Sequence, residues 1–343
     1  MKLYNKYSAE ENAELIKKAG QKRLTLSFYK YVVIKNPKLF RDYLFLNLQP
    51  LDIFGRIYVS FEGINAQLSV PSKKLDELKS QLDEISFLKD IRLNIAIESD
   101  DFSFLKLKIK VRSKIVSDGL KDNVYDITDP GKHLNAKKFN QMLNKKETIC
   151  IDMRNHYESE IGHFKNAILP NVDTFKESLH FVEKRYSEYK KNKNIVLYCT
   201  GGIRCEKASA FLKYKGYNNV FQLKGGIIEY TNQVKKEGIE NKFIGKNFVF
   251  DQRKSERISQ DIISKCHQCG EKSDSHTNCA NEACHLLFIQ CERCAKKMKN
   301  CCSNKCIKTI SLSDQERKEQ RKGKKNSNKI FKKGRSPVLK FKQ

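Results

Sequence analysis

Ile195-Val-Leu-Tyr-Cys199-Thr-Gly-Gly-Ile-Arg204 is the stretch that decides how the middle of this 343-residue chain folds. A short continuous apolar run suits a strand buried on both faces, as in a parallel sheet. Cys199 falls at the carboxyl end of that strand, Gly201 and Gly202 permit a tight turn, and Cys205–Lys215 reads as the helix that follows. A cysteine placed there sits among converging backbone N–H groups at the positive end of a helix dipole. Arg204 adds a fixed cation. Such surroundings depress a thiol pKa and make the sulfur a nucleophile. A purely structural strand-end cysteine is the bland alternative, and the combined strand, Gly-Gly, Arg and helix context outweighs it.

Outward from this loop the pattern stays α/β. Ile149–Met153 is a second buried apolar run, and helical stretches fall at Phe175–Lys190 and Ile227–Lys236. Residues 133–240 therefore form one domain with a parallel sheet. Residues 1–22 read as an N-terminal arm, 117–132 as a linker around Asp129-Pro130-Gly131, and 241–265 as a connector.

Residues 23–116 read as a separate ferredoxin-like α+β sandwich. Strands are expected at Leu24–Tyr31, Gly55–Ser60, Asn65–Val70, Ile91–Ile97 and Leu105–Val111. Helices are expected after Pro37 and Pro71, the second carrying Leu75, Leu78, Leu82 and Ile85 on one face. The order is βαββαβ with one added strand. In that last strand Leu105, Leu107, Ile109 and Val111 point one way and Lys106, Lys108, Lys110 and Arg112 the other. The cations either track a phosphate backbone or protect a sheet edge, and the edge position of an appended strand favours protection.

The chain carries 67 Lys+Arg against 40 Asp+Glu, a formal net charge of +27, which favours a polyanionic partner such as nucleic acid. A Lys-rich proteome would give the same charge without any partner. No run approaches the ~18 apolar residues of a membrane span, and the first residues carry no apolar core of a secretory signal, so a cytoplasmic protein with no membrane association is expected. Nine of the 12 Cys lie between Cys266 and Cys306. Without an export signal they point to metal or thiol chemistry rather than disulfides. Two interleaved tetrahedral sites fit the spacing. Cys266, Cys269, Cys291 and Cys294 make one; Cys279, Cys284 and Cys306, with Cys301 or Cys302, make the other. His267, His276 and His285 could substitute for one of them. Structural zinc is the preferred reading, with an iron–sulfur cluster or redox-active thiols as alternatives. Residues 307–343 hold 13 Lys+Arg against 3 acids, among them Arg321, Lys322, Lys324 and Lys325, and read as a basic, disordered tail that could hold RNA. Cys150 reads as a core residue. Cys205 either resolves an oxidised Cys199 or, preferably, faces elsewhere at the helix start.

The central domain resembles the rhodanese superfamily. Ile151-Asp-Met-Arg-Asn-His-Tyr-Glu-Ser-Glu-Ile-Gly-His-Phe-Lys-Asn-Ala-Ile168 is similar to the rhodanese signature, with Asp152 and Arg154 as its supporting pair. Leu223-Lys-Gly-Gly-Ile227 is similar to its closing turn, and Cys199 to Arg204 to its active-site loop. Tyrosine-phosphatase loops place five residues between Cys and Arg, whereas this loop places four, Thr200, Gly201, Gly202 and Ile203. The smaller cradle suits a persulfide better than a phosphate ester.

The likeness extends to both flanks. Phe28-Tyr-Lys-Tyr31, Phe54-Gly-Arg56, Glu62-Gly-Ile-Asn-Ala-Gln67, Gly245-Lys-Asn-Phe-Val-Phe-Asp251, Cys266-His-Gln-Cys269 and Cys284-His-Leu-Leu-Phe-Ile-Gln-Cys291 resemble the bacterial tRNA uridine-34 hydroxylases. That resemblance implies tRNA as substrate, molecular oxygen as oxidant, 5-hydroxyuridine as product and Cys199 as the essential cysteine. The residues reveal no dinucleotide fingerprint and no iron-binding facial triad, so the electron donor is not identified. A persulfide-forming sulfurtransferase is the second hypothesis, disfavoured by the extra domains and the tail. An RNA-binding adaptor is the third, disfavoured by the intact Cys199–Arg204 loop.

Overall fold

The alternation of strands and helices expected for the first hundred residues is present in the computed structural model of the chain, which describes residues 3–121, 124–322 and 335–341. After α1 (Ala9–Ala19) come β1 (Arg23–Tyr31), α2 (Pro37–Leu48), β2 (Phe54–Ser60), β3 (Gly63–Pro71), α3 (Leu75–Asp83), β4 (Asn94–Ile95) and β5 (Leu107–Val111). They build one sheet in the order β4-β1-β3-β2-β5, with β5 parallel to β2 and the other pairings antiparallel. Leu44 and Leu48 of α2 and Leu78 and Leu82 of α3 bury against Leu26, Phe28, Ile57, Val59 and Leu68 of the sheet. β3 starts at Gly63, two residues earlier than the hydrophobic pattern suggests. Its φ is 143°, and a Cβ there would lie 2.0 Å from the Lys30 carbonyl oxygen, so only glycine passes this closely. β4 shrinks to the two residues that reach β1, opposite Leu26 and Ser27.

β5 is an edge strand. Lys108 and Lys110 are exposed along it and Lys106 is half-buried, while Leu107 and Ile109 face the core. Val111, expected inward, is 39% exposed at the strand's end. The expected arm is ordered against this edge. Asn5 donates to the Leu107 carbonyl and accepts from its N–H, each at 2.9 Å. A capping box of Ser8 and Glu11 starts α1, and Asn12 then donates to the Leu105 carbonyl at 2.8 Å.

The remaining elements are β6 (Lys132–Leu134), α4 (Ala136–Leu143), β7 (Thr148–Asp152), α5 (His156–Ser159), β8 (Gly162–Phe164), α6 (Phe175–Arg185), β9 (Asn194–Tyr198), α7 (Ile203–Tyr214), β10 (Val220–Leu223), α8 (Gly226–Glu237), β11 (Phe243–Phe248), β12 (Ser255–Arg257), β13 (His276–Asn278), β14 (Leu287–Ile289), α9 (Glu292–Met298), α10 (Asn304–Ile310) and α11 (Asp314–Arg321). The parallel sheet has the order β6-β10-β9-β7. Ile195 to Tyr198 are completely buried, as a strand covered on both faces requires. Cys150 is buried in β7, as read from the sequence.

The chain divides into two compact units. One comprises Met1–Arg154, Asn166–Asn241 and Val249–Glu256, and so holds both sheets just described; the other comprises Asn155–Lys165, Lys242–Phe248 and Arg257–Gln343. Part of the rhodanese-like signature thus belongs with the C-terminal residues. The cause is long-range strand pairing, β8 lying antiparallel to β11 with Phe164 opposite Phe243. At Gly162 a Cβ would lie 2.2 Å from the Lys246 carbonyl oxygen. Tyr157, Ile161, Phe248, Leu287 and Ile289 form one core of this unit. A second gathers Cys279, Cys301, Cys302, Cys306, Leu286, Phe288 and Leu339.

The expected disordered tail is partly folded. Ser313 and Glu316 form a capping box on α11, and Leu339 is 4% exposed in the Cys-rich core. Arg321 closes α11 and Lys322 is exposed, whereas Lys324 and Lys325 lie outside the described residues. Among the described residues no helix is long and apolar enough to cross a membrane.

Candidate functional site

β9 carries Cys199 to the carboxyl edge of the parallel sheet, where it is fully buried. The chain turns there through Gly202, which caps α7 at φ 102° and donates its N–H to Cys199 Sγ at 3.2 Å. α8 grips the loop from behind. The Ile227 N–H donates to the Cys199 carbonyl at 3.0 Å and the Ile228 N–H to the Thr200 carbonyl at 3.2 Å. A Cβ at Gly226 would stand 2.5 Å from both oxygens, which explains the second glycine of the Leu223–Ile227 turn. Arg204 reaches Thr200 Oγ1 at 3.4 Å, its guanidinium 6.0 Å from the Phe250 ring centroid.

Burial by itself would raise the Cys199 pKa. Hydrogen bonding from the Cys205 thiol, the Arg204 charge and the backbone amides of Cys205 and Gly202 outweigh it and bring the thiol down to about 6. Cys205 therefore does not face elsewhere. It bonds the Cys199 sulfur, and its own pKa is pushed well up by burial and then by the neighbouring thiolate. Asp152 and Arg154, both completely buried, pair through contacts of 2.7 to 3.1 Å. Arg154 stands 5.7 Å from the Tyr198 ring centroid, and the Met153 N–H donates to the Tyr198 carbonyl at 2.9 Å. The pair thus braces the end of the strand that delivers Cys199.

The ferredoxin-like sheet meets the same loop. Tyr31 Oη donates to the Ile203 carbonyl at 3.0 Å and Asn94 Nδ2 to the Gly201 carbonyl at 3.4 Å. Tyr29 Oη donates to Glu206 at 3.0 Å and lies 2.8 Å from where a Cβ of Gly202 would stand. Glu206 also bonds His133 Nε2 at 2.9 Å and Gln222 Nε2 at 3.0 Å. Burial works against its ionisation, and these partners, His133 foremost, hold its pKa below the usual value.

Next to Glu206 on α7, Lys207 is 1% exposed and inserts its ammonium between Glu62 (2.8 Å) and Asp118 (2.9 Å). It donates also to the Val116 carbonyl at 2.9 Å and lies 5.8 Å from the Tyr31 ring centroid. Sequence reasoning singled out none of Asn94, Asp118, Glu206 and Lys207. Tyr29, Tyr31 and Glu62 entered only as members of expected secondary structure and of motifs of resemblance, with no role of their own. The available signal was a lysine and a glutamate within a helix otherwise rich in small and apolar residues.

The lysine row is not gathered with this loop. β4 and β5 are opposite edges of a five-stranded sheet, so Lys106, Lys108 and Lys110 lie four strand spacings, about 19 Å, from the edge that touches Gly201.

In the second unit two groups of four thiols could each hold a metal ion, their sulfur atoms within 4.8 Å of one another. Cys266, Cys269, Cys291 and Cys294 make the first; Cys279, Cys284, Cys302 and Cys306 make the second. Cys301 stands outside both groups, buried, with its carbonyl accepting from Gln268 Nε2 at 3.0 Å. Neither group includes a histidine. His267 bonds Glu160 at 2.6 Å, and His276 packs edge-on against Phe248.

Three family models match the chain. They are the UPF0176 acylphosphatase-like domain over residues 23–115, the rhodanese-like domain over 135–233 and the rhodanase C-terminal domain over 244–307. A protein of Leptospira interrogans named tRNA uridine(34) hydroxylase is 50% identical over 97% of this chain and 90% of its own length. Proteins of the same name from Photorhabdus laumondii and Yersinia enterocolitica are 48% and 49% identical, each over 97% of this chain and 95% of their own.

Proposed function

The chain belongs to the tRNA uridine(34) hydroxylase family, and from that premise we propose that it hydroxylates C5 of the wobble uridine of tRNA, forming 5-hydroxyuridine. The observation that carries this reading is 48–50% identity spread over 97% of the chain, which takes in both flanking regions as well as the cysteine loop. Molecular oxygen supplies the inserted atom, and its second atom leaves as water with two electrons and two protons from an external donor. The cytoplasm, where tRNA is matured, is the place of action.

Cys199 attacks in this reading. Its thiolate adds to C6 of uracil, and the C5–C6 π pair moves onto C5 and O4, making C5 nucleophilic toward an activated oxygen species. Loss of the C5 proton and expulsion of the thiolate then restore the double bond. A thiol of pKa about 6 supports the first step, because the nucleophile is already ionised at neutral pH. Arg204 and the Gly202 amide hold the sulfur's charge while it waits.

The Cys-rich groups hold structural zinc. A tetrahedral ion with ~2.3 Å bonds to sulfur separates its thiolates by about 3.8 Å. The recorded separations of 3.6 Å for Cys269–Cys291 and 3.7 Å for Cys284–Cys302 and Cys302–Cys306 fit one ion per group rather than a larger iron–sulfur cluster.

Nucleoside mass spectrometry tests the function. tRNA from cells lacking the native activity, complemented with this chain, is expected to regain 5-hydroxyuridine derivatives, and Cys199→Ala is expected to abolish them. Recovery with both proteins would retire the thiolate mechanism, and recovery with neither would turn attention to sulfur transfer.

A further inference from the structure

Cys199 is fully buried, so a nucleotide must enter past the groups that surround its loop. On the side of the ferredoxin-like sheet lies a cleft of about 290 Å³, lined by Tyr29, Tyr31, Lys89, Asp90, Arg92 and Glu206 among others. That volume is at the lower end of the roughly 300–1,000 Å³ of ligand pockets, which suits a single nucleotide.

The walls divide by chemistry. The hydroxyls of Tyr29 and Tyr31 are anchored on Glu206 and the Ile203 carbonyl, which fixes both rings beside the cysteine loop. Glu206 is an anion in this wall, and three hydrogen bonds already occupy its carboxylate. Lys89 and Arg92 bring two cations against Asp90, and Arg92 Nε has no hydrogen-bond partner among the described residues. Two residues along from Arg92, outside the cleft's own lining, is Asn94, 2% exposed. Its Nδ2 points at the Gly201 carbonyl, whereas its Oδ1 is buried with no partner among the described residues. That oxygen would be 3.3 Å from a Cβ on Gly225, so it lies between the cysteine loop and the turn that closes it. An orphaned buried acceptor is costly and calls for a donor from a ligand. Uracil offers one, the N3–H, and cytosine has none at that position.

We propose that this cleft is the entry site for the target nucleotide of an RNA strand, with Lys89 and Arg92 on its phosphates and Asn94 Oδ1 accepting the N3–H of its base. The inference rests on the functional reading above and adds to it where the strand enters and which residue distinguishes uridine from cytidine. It also moves RNA recognition away from the Lys106, Lys108 and Lys110 edge. Arg92 suits a phosphate through its planar, bidentate guanidinium, and the fixed Tyr29 and Tyr31 rings flank the path of the base.

The test uses the full chain with a fluorescein-labelled anticodon stem-loop RNA carrying uridine or cytidine at position 34, read by anisotropy across a salt series. Lys89→Ala/Arg92→Ala is expected to weaken binding roughly 10- to 100-fold. It should also reduce the salt slope by about 1.4, two single-strand phosphate contacts' worth. Asn94→Ala is expected to erase a preference for uridine of roughly tenfold. Thermal unfolding and the alkylation rate of Cys199 confirm that each variant retains the loop. If Asn94→Ala does not fold, the Lys89/Arg92 variant still decides the matter. Unchanged affinity and salt slope in that variant overturn the proposal, as does loss of binding in Lys108→Ala/Lys110→Ala alone. A wild-type chain that hydroxylates tRNA while the cleft variants behave as it does refutes only the cleft. A wild-type chain that neither binds the stem-loop nor modifies tRNA removes the functional reading, and the cleft proposal with it.

Discussion

Replacing Arg204 by Gln should disarm Cys199 without emptying its cradle. In the folded chain the thiol is brought from 9.0 to about 6 against the opposing effect of burial. That change corresponds to roughly 4 kcal/mol in favour of the thiolate. Cys205, Arg204 and the amides of Cys205 and Gly202 supply it together, the Cys205 thiol contributing most and Arg204 next. Losing one of the two larger contributions should raise the inflection by about one to two pH units. The sign follows from the depressed value. Thiolate dominates above pH 6, and reactivity falls about tenfold per pH unit below it. The assay is the pH dependence of iodoacetamide alkylation of the Cys199 peptide by mass spectrometry. The absorbance difference at 240 nm between wild type and Cys199→Ala complements it, since that signal needs no access to the buried sulfur. An inflection near 9 in the wild type, or an unchanged inflection in Arg204→Gln, would refute the account of how this loop activates its sulfur.

Other outcomes follow from the same geometry. Cys205→Ala should also raise the Cys199 inflection, because it deletes the largest favourable contribution; a fall would mean that Cys205 is not its donor. Lys207→Met leaves Asp118, 2% exposed, and Glu62 without their shared cation, and should cost roughly 3–5 kcal/mol in urea unfolding. A loss under 1 kcal/mol would show that Lys114, 2.8 Å from Asp118, suffices. Purified chain should hold two metal ions. Cys301→Ser should keep both and Cys302→Ser should release one by elemental analysis, and the reverse would exchange their assignments.

Much of this protein was legible in its sequence, because its strongest signals are local. A buried apolar run ending in Cys199-Thr-Gly-Gly-Ile-Arg204 specifies strand, turn and helix over ten residues, and the structure sets β9 and α7 on either side of that turn. Short cysteine spacings likewise select their partners, since two thiols from one turn reach one ion. They could not choose between Cys301 and Cys302, which are adjacent in the chain and separated only by the direction of their side chains after folding. The hydrophobic pattern alone also overextended β4, because a strand's length depends on what it pairs with.

Only the tertiary structure decided what surrounds Cys199. Tyr29 and Glu206 stand 177 positions apart, and Lys207 and Glu62 145, and no local pattern encodes a meeting at that distance. Pairing of β8 with β11 reassigned part of the rhodanese-like signature to the C-terminal unit for the same reason. Side-chain chemistry is carried by residue identity, whereas the company a side chain keeps is fixed by packing between segments far apart in the chain. The sequence therefore determined that Cys199 ends a buried strand at a glycine turn beside Arg204, and the fold determined that its loop is buried against Tyr31 and Asn94 of the ferredoxin-like sheet.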